Sequence, residues 1–101
     1  MAIFTNHINQ EEPAKKIELT QNDPNLFRKR TVFRYSIPYR TKVVIMINNV
    51  DGQIMDKIII PKQERGLYEL EFFADGLPKG IYFDHLIADN IVKSGEMELI
   101  K

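Results

Sequence analysis

Apolar and polar residues alternate along most of this chain with a period of two, and nowhere is a helical period sustained. Thr31 to Ile37 reads TVFRYSI, which sets Phe33, Tyr35 and Ile37 on one face of a strand that Pro38 ends. Leu67 to Phe73 sets Tyr68, Leu70 and Phe72 against Glu69 and Glu71. Thr41 to Asn48 is rich in β-branched residues, Asp51-Gly52 is a hairpin signal, and Gln53 to Ile60 returns before Pro61 stops it. Ile17 to Thr20 makes a short first strand. Gln21 to Arg30 reads as a loop, because Asn, Asp and Pro favour turns through local bonds and a fixed φ. Gly80 to Ala88 is a strand, Asp89-Asn90 a tight turn, and Ile91 to Ile100 a last strand with a break near Gly95. Residues 1–16 read as a flexible N-terminal arm and residues 17–101 as one domain. About seven strands of this length would leave one face of a single sheet wet. The expectation is therefore an all-β, immunoglobulin-like β-sandwich of about seven antiparallel strands.

The stretch DGLPKGIYFDHLI, Asp75 to Ile87, holds a carboxylate beside an imidazole. Alternation separates them: neighbours in a strand point to opposite faces, so Asp84 and His85 form no acid–base pair with each other. Tyr82, Leu86 and Ala88 read as core, which turns Asp84 inward, where a carboxyl group needs a hydrogen-bond partner. Ile81, Phe83, His85 and Ile87 then face outward. No third or fourth ligand joins His7 or His85, so no metal site assembles. The glycines form no phosphate-cradling loop, and Ser36 and Ser94 lack a nucleophile elbow. No catalytic residue, cofactor site or small-molecule substrate is implied.

The chain has 101 residues, 44% hydrophobic and 28% charged, enough for one buried core. Its formal net charge is zero, which argues against broad capture of nucleic acid. Without cysteine there are no disulfides and no thiolate chemistry. No run is long and apolar enough to span a bilayer, and MAIFTNHINQEEPAKK lacks the pattern of a secretory signal. With Met1 as the native start, the expectation is a cytoplasmic protein, membrane-associated through a partner. As a fragment, the chain would belong to the cell envelope or to a secreted protein.

Two features point to a partner. Arg28, Lys29, Arg30, Arg34, Arg40 and Lys42 fall in a window without an acidic residue. This window suits an acidic partner or peripheral contact with an anionic surface, and equally a solvated loop and strand face. More informative is an excess of outward apolar residues. With Val43, Ile45 and Ile47 inward, Val44 and Met46 face out, as do Phe83 and Ile87, with Ile100 beside them. On one sheet these share a face where water-exposed sheets normally carry polar residues. Val44, Met46, Phe83, His85 and Ile87, oriented by Arg28, Lys29 and Arg30, are the candidate partner-binding residues, and a larger protein complex is the expected partner. A register shifted by one residue, or an arm folded over the sheet, would account for the same pattern.

The ordered set N-x-P-N-x-F (Asn22 to Phe27), TVFRYSIP (Thr31 to Pro38), a β-rich run ending in Asp51-Gly52, GLYELEF (Gly66 to Phe72), GLPKGIYF (Gly76 to Phe83) and MELIK (Met97 to Lys101) resembles a known family. It is similar to the C-terminal sorting domains of type IX secretion cargo, and through them to the Ig-like domain of the flagellar hook-capping protein. The resemblance covers residues 17–101 and implies a seven-stranded sandwich without enzymatic activity, recognised by export machinery. This chain carries no cargo domain and no signal, and has Leu26 where the family's loop usually holds a second proline. The two functional expectations are an accessory subunit docked on a larger complex and a sorting or adhesion domain cut from a secreted protein.

Overall fold

A computed structural model describes residues 2–3, 15–23 and 26–100. Among them every regular element is a strand. These are β1 (Ala2–Ile3), β2 (Glu18–Asp23), β3 (Leu26–Phe27), β4 (Arg30–Ile37), β5 (Thr41–Asn49), β6 (Ile54–Gln63), β7 (Gly66–Phe73), β8 (Gly80–Ala88) and β9 (Ile91–Leu99). They form a four-stranded sheet in the order β1-β7-β4-β2 and a five-stranded sheet in the order β3-β9-β8-β5-β6. The expected all-β, two-sheet architecture is present.

The period-two pattern is what closes the two sheets on each other. Phe33, Tyr35, Ile37, Tyr68, Leu70 and Phe72 come from the four-stranded sheet. Val43, Ile45, Ile47, Tyr82, Leu86, Met97 and Leu99 come from the five-stranded one, and together they make one buried cluster. Phe33 and Phe72 pack with ring centroids 6.0 Å apart, and Tyr35 stacks on Tyr68 at 5.4 Å. The Tyr35 hydroxyl donates to Gln63 Oε1 at 2.7 Å, so a buried polar group is satisfied across the two sheets, and burial pushes that phenol well above its ordinary range.

Four local expectations are corrected. The loop from Gln21 to Arg30 contains the end of β2 and all of β3, because the chain crosses between the sheets there and pairs with both. β3 runs parallel to β9, so the strands are not all antiparallel. β6 continues through Pro61 to Gln63. Pro61 falls where this edge strand shifts register against β5, between Ile60 and Gln63, a place that tolerates a missing donor. β9 passes Gly95 without a break. Within the expected arm, Ala2 and Ile3 pair with Phe72 and Glu71 on β7. The rest of the arm, residues 4–14, lies outside the described residues.

Turn chemistry sets the registers. At the β5–β6 hairpin Asn49 Oδ1 accepts from the backbone N–H groups of Asp51 and Gln53, and Gly52 takes φ 82°. Two tyrosine hydroxyls clamp the crossings between sheets: Tyr68 donates to Glu64 O at 2.7 Å and Tyr82 to Pro78 O at 2.5 Å, each four residues upstream. The turn from Asp75 to Lys79 thus carries the chain from β7 in one sheet to β8 in the other.

Candidate functional site

The register of the five-stranded sheet places its outward residues in rows. Ile59 lies opposite Val44, Val44 opposite Ile87, and Ile87 opposite Val92, so one apolar row crosses four strands. The next row reads Lys57, Met46, His85, Ser94, and the one after it holds Asn48, Phe83 and Glu96. Val44, Met46, Phe83 and Ile87 are half-buried by their neighbours, whereas Ile59 at 51% and Val92 at 58% exposure are open to water at the flanks. The five residues expected from alternation therefore share one face of one sheet. Ile59 and Val92 extend it. Neither was legible in the sequence: Ile58 to Ile60 is an unbroken apolar run, and Ile91-Val92 a pair, so alternation is silent at both places.

His85 is held flat across this face by both ring nitrogens. Nε2 lies 2.5 Å from Asn48 Oδ1 and Nδ1 lies 2.7 Å from Ser94 Oγ. Asn48 Nδ2 donates to Asn49 O at 2.9 Å, which orients the amide with its oxygen towards the ring. In the neutral ring Nε2 then donates to Asn48 Oδ1 and Nδ1 accepts from the Ser94 hydroxyl. The imidazole thereby straps β5, β8 and β9 together and is a pre-set part of the surface. Its partners are an amide oxygen on one side and a hydroxyl on the other, so the ring is held from two neighbouring strands.

Asp84 points the other way, into the core, and is 1% exposed. Its cross-strand neighbours are Ile47 and Gly95, and neither carboxyl oxygen has a hydrogen-bond partner from another of the described residues. A methyl group on Gly95 would lie 2.8 Å from Asp84 Oδ2, so the glycine makes room for the carboxyl group. Burial pushes the Asp84 carboxyl up from 3.8 to about 6, partly offset by its own backbone N–H. The inward placement matches the alternation; the expected partner is not among the described residues. Nor is any group of three or more His, Asp or Glu side chains there that could hold a metal ion.

The outer face of the four-stranded sheet is built differently. Arg34 lies opposite Glu69 and pairs with it at 3.5 Å, and Arg30 reaches Glu71 at 3.2 Å. Arg40 pairs with Glu64 at 3.2 Å. Three of the six basic residues of the window are thus balanced in space by acids from other segments. Arg28 and Lys29 are exposed at the bend between β3 and β4, where Lys29 O accepts from the N–H of Ala74. Arg30 opens β4, so the structure places it on the opposite sheet from Val44, Met46, Phe83, His85 and Ile87. The reason is the crossover itself: three residues after Phe27 the chain has left the five-stranded sheet.

No family model matches the chain, and no curated protein matches it in sequence. Among the described residues no helix is long and apolar enough to cross a membrane.

Proposed function

We propose that this chain is a non-catalytic interaction module, an immunoglobulin-like sandwich that docks on a larger protein assembly through the outer face of its five-stranded sheet. The observation that carries the reading is the contrast between the two outer faces. One sets two ion pairs, Arg30–Glu71 and Arg34–Glu69, between separate apolar residues Val32, Leu67 and Phe73; the other carries a continuous apolar row four strands wide with Met46 and Phe83 beside it. Each half-exposed aliphatic side chain on that row contributes about 1 kcal/mol when a partner covers it. Arg28 and Lys29, at one end of the sandwich, serve to orient the approach of an acidic or anionic surface. The Ig-like topology is supported by the sheet order and by Tyr82, whose hydroxyl reaches back four residues across the inter-sheet turn in the manner of a tyrosine corner.

The test is the pair Met46→Asp and Phe83→Lys. Both positions face outward, so the variants should fold as the parent does by circular dichroism and melting. Co-purification with the native assembly should drop at least about tenfold, since one buried unpaired charge costs more than 1.4 kcal/mol. Undiminished co-purification refutes the reading. A second reading, a C-terminal sorting module of the type IX kind, is favoured by the ordered motif set. Fusing the chain behind a reporter with a secretion signal, in a bacterium that has the pathway, should then send the reporter outside the cell; retention in the periplasm rejects it.

A further inference from the structure

We propose that the free chain pairs with a second copy of itself through this same face, about a two-fold axis that runs along the strands midway between β5 and β8. The inference rests on reading the face as a docking surface and names what covers it before the host assembly does.

The argument begins with the flanks. Lys57 sits on the β6 side of the face, while Glu96 and Glu98 sit on the β9 side. An axis along the strands exchanges β6 with β9 and β5 with β8 between the copies. Ile59 then lies over Val92 of the second copy, Val44 over its Ile87, and Met46 over its His85. The apolar row meets itself along its whole width. Lys57 comes over Ser94, with Glu96 one pleat repeat away, about 7 Å along the strand and within reach of a lysine. Each contact occurs twice by symmetry. An axis across the strands does the opposite: it stacks β6 on β6 and β9 on β9, so like charges face each other. Charge therefore selects the first arrangement. The formal net charge of zero leaves no long-range repulsion between copies.

Size sets the strength. Four strands at about 4.8 Å spacing and nine residues of about 3.3 Å rise give a face of roughly 600 Å². Two such faces bury about 1,200 Å², the lower bound of a stable interface. The pairing is accordingly weak, with dissociation in the micromolar range or above, and a host surface of better fit displaces the second copy.

Sedimentation of the full chain between about 10 and about 500 µM tests this. A monomer–dimer equilibrium is expected. Lys57→Glu alone and Glu96→Lys alone should each weaken it about tenfold, because each converts two attractive contacts into repulsive ones. The double variant should regain parental affinity. Both positions are exposed, and melting checks that each of the three variants folds. A chain that stays monomeric throughout, or single variants that dimerise like the parent, overturns the proposal. If self-pairing fails while Met46→Asp still releases the chain from its host, the docking reading stands alone. If self-pairing obeys the charge rule while Met46→Asp stays bound to the host, self-pairing stands and the docking reading falls.

Discussion

Asp84 is a carboxyl group in the wrong place for stability, and its cost depends on pH. A folded-state value of about 6 against an ordinary 3.8 means the folded chain binds this proton more tightly than the unfolded one. The sign follows. Below about pH 4 the group is neutral in both states and costs no ionisation energy. Between about pH 4 and pH 6 stability falls as the unfolded chain ionises freely and the folded one does not, and above that range the loss is complete. The shift corresponds to at most about 3 kcal/mol. Asp84→Asn should therefore raise the urea midpoint at pH 7 and have a smaller effect at pH 4. The difference between variant and parent should grow across that interval. A constant difference would show that ionisation of Asp84 is not the cause. The unbranched space above Gly95 is the local accommodation that lets the carboxyl group sit there at all.

At the scale of the element, β8 shows what alternation can and cannot reveal. Its nine residues obey a strict in-and-out pattern, so Tyr82, Asp84, Leu86 and Ala88 were assignable to the core from sequence, and Phe83, His85 and Ile87 to the opposite face. The same holds for β4, β5 and β7, each half-buried and therefore marked by period two. β3 was not assignable, since two residues carry no period and their partner, β9, lies about 70 positions away in sequence. Pro61 misled because it sits at a register shift of an edge strand, between the Ile60 and Gln63 pairings, where a missing donor does not end the strand. The His85 strap needed Asn48 and Ser94 brought from two other strands, which only the register supplies. The crossing into β8 also has a measurable anchor. Tyr82→Phe removes one hydroxyl donor and leaves Pro78 O short of its partner, so it should cost about 1 kcal/mol in denaturant unfolding. No loss would mean that the turn holds itself.

For the whole molecule, one core serves two sheets whose outer faces differ. Phe33 is fully buried and touches the cluster contributed by both, so Phe33→Ala should cost about 3–5 kcal/mol. Far-ultraviolet circular dichroism and tyrosine fluorescence should report the same shifted midpoint, as expected when the sheets unfold together; separate transitions would show that they do not. One outer face carries the Arg30–Glu71 and Arg34–Glu69 ion pairs and the other the apolar row from Ile59 to Val92. The crossover through β3 adds a mechanical property to this arrangement. β3 lies parallel to β9, with Leu26 opposite Glu98, Phe27 opposite Leu99, and Ile100 N–H donating to Phe27 O at 2.8 Å. Tension applied to the chain on the N-terminal side of β3 and the C-terminal side of β9 drags the two strands past each other. Their hydrogen bonds are then loaded side by side in shear, and this small pairing at the edge of the five-stranded sheet acts as a latch against pulling.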